Sequence, residues 1–108
     1  MIDNTEVIDF IGINEERRKC VLAISDHHDW ENELNHLLLL QEKLNNYISF
    51  IESGEIYIAY PEAQDKDFGI EIHFMHEPSI KCLEFLKHVY LAFKEANVEV
   101  AWVKQSDE

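Results

Sequence analysis

Hydrophobic and polar positions follow two different periods along this chain, and each change of period marks an element. Val7-Ile8-Asp9-Phe10-Ile11-Gly12-Ile13 and Cys20-Val21-Leu22-Ala23-Ile24 are short apolar runs of strand character. Ile8 and Phe10 share a face of the first, and Leu22 and Ile24 share a face of the second. The charged stretch Asn14-Glu15-Glu16-Arg17-Arg18-Lys19 between them predicts a hairpin loop. From Asp29 or Trp30 to Ser53 the period becomes helical, with Gly54 as the C-terminal stop. Trp30, Leu34, Leu37, Leu40, Leu44, Tyr47, Ile48 and Ile51 form one broad apolar stripe, wide enough to cover a sheet. Leu39 and Phe50 fall on the opposite side among Asn32, Lys43 and Asn46, which predicts a second, smaller buried contact. A loop or terminus could cover it, or a partner or dimer surface.

Glu55-Ile56-Tyr57-Ile58-Ala59-Tyr60 fits either a short edge strand or a helical turn, and Pro61 ends both. Phe68-Gly69-Ile70-Glu71-Ile72-His73-Phe74 alternates cleanly, with Glu71 and His73 pointing away from the apolar set. A second helix opens around Glu77-Pro78-Ser79, where Pro78 suits the first turn. It buries Cys82, Leu86, Val89, Phe93 and Ala96 and ends at Asn97 in the left-handed conformation. Val98 to Val103 reads as a last strand and Lys104 to Glu108 as a frayed tail. The order β-β-α-(β)-β-α-β predicts an α/β (α+β) two-layer sandwich: a mixed four- or five-stranded sheet with both long helices on one face. The other sheet face, with Asp9, Glu71 and His73, would be wet or covered by a second subunit.

At 108 residues the chain holds one domain with one real core. Twenty-two acids against nine bases give a net charge of −13, which argues against contact with nucleic acid or an anionic membrane surface. The same charge suits a basic protein partner. No apolar run is long enough to span a bilayer. The acidic start Met1-Ile2-Asp3-Asn4-Thr5-Glu6 has no signal-peptide character, which predicts a cytoplasmic protein with Cys20 and Cys82 reduced.

Chemistry concentrates at one place. Ser25-Asp26-His27-His28-Asp29-Trp30 packs acids, imidazoles and an indole where a strand hands over to a helix. Such a junction is a helix cap, a polar site, or both. Asp26 or Asp29 can cap the helix, with acids in the first turn complementing its dipole. If the helix includes Asp29, then Asp29, Glu33 and His36 line one edge of the stripe, an arrangement that can pair a carboxylate with an imidazole. His27, His28, His36, His73, His76 and His88 have no pair at the spacing that aligns two ligands on a helix, so neither a metal nor another cofactor is assigned. The three glycines build no phosphate-cradling loop, and no serine sits in a nucleophile elbow. Tyr57 and Tyr60 join Leu39 and Phe50 as candidate contact residues.

These strings, Ile24-Ser25-Asp26-His27, Asp29-Trp30, His36-Leu37-Leu38-Leu39-Leu40-Gln41-Glu42-Lys43, Ile51-Glu52-Ser53-Gly54 and Tyr60-Pro61-Glu62-Ala63, resemble a small family of uncharacterised bacterial proteins. The resemblance covers about the first two-thirds of the chain and implies a bacterial cytosolic origin. It places Asp26, His27, Asp29, Trp30 and His36 in the family's signature and carries no activity with it. The expected function is a non-enzymatic protein-binding module, in a specific form an immunity or antitoxin-like inhibitor of a basic partner. The alternative is a small enzyme, or a ligand- or metal-binding protein, with its site at Asp26, His27, His28, Asp29, Trp30 and His36. A homodimer on the open sheet face or on Leu39 and Phe50 is a third expectation.

Overall fold

The computed structural model describes residues 1–105. Strands β1 (Phe10–Asn14) and β2 (Lys19–Asp26) form an antiparallel hairpin, with Arg18 taking a left-handed φ of 51° in the turn. Helix α1 (Glu33–Glu52), the short helix α2 (Glu55–Ala59) and a 3-10 turn at Pro61–Ala63 lead to β3 (Asp67–Phe74), which pairs parallel to β2. Helix α3 (Ile80–Glu95) then carries the chain to β4 (Val98–Lys104), parallel to β3. The result is a four-stranded mixed sheet in the order β1-β2-β3-β4, with two long helices against it.

Register explains the burial. Ile11 lies opposite Leu22, Leu22 beside Ile70, and Ile70 beside Val100, so one sheet face collects Cys20, Leu22, Ile24, Phe68, Ile70, Ile72, Phe74, Val98 and Val100. Leu40, Leu44, Tyr47 and Ile51 of α1 and Cys82, Leu86 and Val89 of α3 close over that face. Burying side chains of this size stabilises by roughly 1.5–3 kcal/mol each before entropy is counted. The other face stays open and presents Phe10, Val21, Ala23, Gly69, Glu71, His73, Ala101 and Val103. Gly69 has a positional reason. Lys19 lies across it to reach Glu99 at 2.6 Å, and a Cβ there would stand 3.3 Å from the lysine Cδ.

Several sequence expectations need correction. The first strand starts at Phe10, not Val7, and its core-facing residues are Ile11 and Ile13, while Phe10 faces solvent. Residues 1–9 instead form a strap held by side chains of α1. Asp9 therefore lies off the open face, turned toward Lys43 and Ser25. Helix α1 begins at Glu33 with Asn32 as its cap, so Asp29 and Trp30 lie outside it and Leu34 is exposed. The edge strand considered for residues 55–60 is a helix, because Gly54 at φ 83° turns the chain back on itself and α2 buries Ile56. Pro78 lies before the Ser79 cap of α3 rather than in its first turn. Asn97 does take the left-handed conformation, at φ 62°.

Both thiols are free and buried. Burial pushes Cys82 up to about 12, with Asp26 and Glu33 adding to the shift, and burial pushes Cys20 up to about 11. The native protein is thus expected to resist a thiol-specific chromogenic reagent at pH 8, and both cysteines should titrate once denaturant is added. Rapid native labelling of either would contradict this packing.

Candidate functional site: the strand-to-helix junction

Asp26 is the last residue of β2, in phase with Cys20, Leu22 and Ile24, so its carboxylate enters the core side of the sheet. His36 lies one turn inside α1, in phase with Leu40, Leu44 and Tyr47. The two therefore meet. His36 Nε2 stands 2.6 Å from Asp26 Oδ2, with the imidazole 1% and the carboxylate 0% exposed. The other ring nitrogen, Nδ1, stands 2.9 Å from the carbonyl oxygen of Asp29. Both ring nitrogens thus face acceptors, and the ring donates to both at once only as the imidazolium. Trp30 stacks on the imidazole at 3.7 Å and 17°, and its ring also meets Phe74 at 6.3 Å.

The second carboxylate oxygen of Asp26 accepts from the His28 backbone N–H at 3.1 Å, an Asx-type turn. Asp29 repeats the motif with Glu31 N–H at 3.1 Å. Neither aspartate caps α1; Asn32 does, accepting from Asn35 N–H. The pairing read along the helix from Asp29 to His36 is replaced by a backbone contact, because residues 29–32 are loop. The closed pair is a clamp: it ties the end of β2 to the first turn of α1 and shapes the loop between. His36 is therefore fully inside, not at a boundary.

His27 and His28 point the other way, about one-third exposed, and converge on Asp3, which pattern reading had not singled out. His28 Nε2 lies 2.5 Å from Asp3 Oδ1, and His27 Nε2 lies 3.4 Å from Asp3 Oδ2. The His28 hydrogen bond holds the Asp3 carboxyl below its usual range. His73 sits on the open sheet face with Glu71 at 3.2 Å and does not join this group, and His76 is exposed in the turn after β3.

The strap delivers Asp3. Ile2 is fully buried and its N–H donates to Ser25 O at 2.9 Å. Lys43, also fully buried, donates to Met1 O at 2.6 Å, Asn4 O at 2.8 Å and Asp9 Oδ1 at 2.9 Å. Asn46 donates to Thr5 O at 2.9 Å, and the Met1 amino group contacts Asp9. The Tyr47 hydroxyl accepts from Asp9 N–H at 2.8 Å and donates to Ala23 O at 2.6 Å; burial pushes its ionisation well up. Lys43 and Asn46, read as polar surface around Leu39 and Phe50, are thus anchors for the strap. Leu39, Phe50, Tyr57 and Tyr60 are partly buried against the core, with Tyr57 edge-on to Phe68 at 5.9 Å.

Burial opposes ionisation of Asp9, but the amino terminus, Ser25 N–H and Lys43 outweigh it and hold its carboxyl below the ordinary 3.8. Asp3 is lowered as well. A carboxyl with a depressed folded value contributes stability that is complete above its unfolded value and lost as pH falls through the folded one. The share of stability that these two carboxyls contribute should therefore be intact at about pH 5 and decline below about pH 4, read as a falling denaturation midpoint. Asp9→Asn should flatten that acid limb; a limb unchanged in the variant would remove Asp9 from the account.

The three parallel strands end at one edge, and that edge gathers Asp3, Asp26, Asp29, Glu31, Glu33 and Glu77 with His27, His28, His36 and His76. The opposite edge holds Arg17, Arg18, Lys19, Lys66 and Lys94 interleaved with Glu15, Glu16, Glu52, Glu55, Glu62, Asp65, Asp67, Glu95 and Glu99. Both edges are therefore net acidic, and the histidine end differs by its four imidazoles and by having Lys81 and Lys104 as its lysines.

Fold and junction together define a small α+β protein in which a closed Asp–His clamp underlies an open Asp–His–His cluster. The chain belongs to a family of unknown function, DUF6572, whose model matches residues 1–106. No curated protein and no solved structure matches it. Among the described residues, no helix is long and apolar enough to cross a membrane.

Proposed function

We propose that this chain is a protein-binding module of the bacterial cytosol that offers its acidic, histidine-bearing edge to a basic surface of another protein. The observation that supports this most is the make-up of one edge: at the C-terminal ends of β2–β4 and the starts of α1 and α3, six acids and four imidazoles stand with Lys81 and Lys104 as cations, in a chain of net charge −13. A net negative field speeds encounter with a basic partner and disfavours nucleic acid. In its specific form the module is immunity- or antitoxin-like and blocks a basic effector such as a nuclease. An enzyme working through Asp26 and His36 has less support, because a general acid or base must reach its substrate and these groups lie under Trp30.

The test is capture from lysate of the source bacterium with wild type and with the Glu31→Lys/Glu33→Lys variant, at 50 and 500 mM salt. The reading expects one basic partner, retained by wild type at low salt and lost both at high salt and with the variant. No partner, or one indifferent to salt and to charge reversal, overturns it.

A further inference from the structure

We propose that Asp3, His27 and His28, within the acidic edge, form a binding site for a divalent transition-metal ion of the zinc type, whether or not that edge also engages a partner. One carboxylate oxygen and two imidazole nitrogens lie within 4.8 Å of one another. Both Nε2 atoms face the same carboxylate. An ion bound at about 2.0–2.1 Å to each ligand requires donor–donor separations of about 3.3 Å in tetrahedral geometry. His27 Nε2 lies 3.4 Å from Asp3 Oδ2 and His28 Nε2 lies 2.5 Å from the other oxygen, Oδ1, so the three donors, spread within 4.8 Å, reach that spacing by side-chain shifts of about 1–1.5 Å.

The donors are held in place although their tips are exposed. Asp3 is fixed by its neighbours, since Ile2 is buried and donates to Ser25 O, while Asn4 O accepts from Lys43. His28 is fixed by the Asp26 turn, and its ring is wedged between His27 at 4.7 Å and His36 at 5.4 Å. His27 Nδ1 is buried with no hydrogen-bond partner among the described residues, so no acceptor pins the proton to one nitrogen of that ring. Mixed imidazole and carboxylate ligation selects zinc, cobalt, nickel or copper over calcium and magnesium, which take all-oxygen sets. The surrounding acids favour any cation. Three protein ligands on a part-exposed surface leave coordination positions for water or for a side chain from a partner.

The full chain, stripped with chelator, is titrated calorimetrically with zinc chloride and spectroscopically with cobalt(II). The expected result is one ion per chain, with visible cobalt bands of a four- or five-coordinate nitrogen–oxygen site, and no binding of calcium or magnesium at the same concentrations. Asp3→Ala and His28→Ala should each weaken zinc binding at least tenfold, and His88→Ala should leave it within twofold. Asp3→Asn serves if His28→Ala does not fold. In proton NMR the imidazole signals of His27 and His28 should move on zinc addition. Absence of binding, binding indifferent to Asp3 and His28, or shifts centred on His73, His76 or His88 would each overturn the assignment.

Discussion

Lys43→Met is expected to destabilise the protein by about 3–5 kcal/mol in chemical denaturation at pH 7. The ammonium has three N–H groups and three acceptors, all within 2.9 Å, and no exposed surface. Methionine preserves the length of the side chain and fills the space. What it leaves behind is the Asp9 carboxylate, 9% exposed, with the Met1 amino group and Ser25 N–H but without its buried partner, and the Met1 and Asn4 carbonyls with one backbone donor each. Breaking one half of a buried ion pair is costlier than replacing both halves, because the remaining charge stays desolvated. The double variant Lys43→Met/Asp9→Asn should therefore recover part of the loss. Hydrogen exchange at Ile2 should accelerate in the single variant, since the strap loses its anchor. For a domain whose whole stability lies at about 5–15 kcal/mol, such a loss is a large share. A penalty under about 1 kcal/mol would mean that the strap contributes little to the fold.

The second large effect is expected at the clamp. Asp26→Ala should cost about 3–5 kcal/mol, because it leaves the His36 ring buried with an unpaired nitrogen and takes the acceptor from His28 N–H. Asp26→Asn should cost less, since its amide can still accept from His28. In a Trp102→Phe background Trp30 is the remaining indole, and its emission should change in Asp26→Ala as the imidazole beneath it loses its tether. A variant with wild-type stability and unchanged emission would show that β2 and α1 are held together without this pair.

Much of the architecture was legible because it rests on periods that tertiary contacts did not override. The alternation of Phe68 to Phe74, the stripe from Leu40 to Ile51, and the stops at Gly54 and Asn97 all lead directly to observed elements. The failures share a cause: polar side chains doing interior work. Lys43 reads as surface by type, yet it shares the helical phase of Leu40 and Tyr47, and only its acceptors 34 to 42 positions away make its burial tolerable. Asp26 carries the same kind of signal, standing at a core position of the Cys20–Leu22–Ile24 alternation, and His36 stands at a core position of the helix. Phase alone could have placed both inside. Asp3 had no such signal, because its approach to His27 and His28 depends on a strap whose path is set by long-range hydrogen bonds. The β-rich composition of Ile56 to Tyr60 left strand and helical turn both open, and the left-handed turn at Gly54 and packing on α1 decided for the helix.

The strap also has a consequence for biosynthesis. Residues 1–9 leave the ribosome before the side chains that hold them, because Lys43, Asn46 and Tyr47 are encoded 34 to 42 positions later. At about 5–20 residues per second, the nascent amino-terminal segment waits about 2–8 s for its anchor to be made. During that interval Ile2 has no interior to enter, so a chaperone meets this segment before the fold can shelter it.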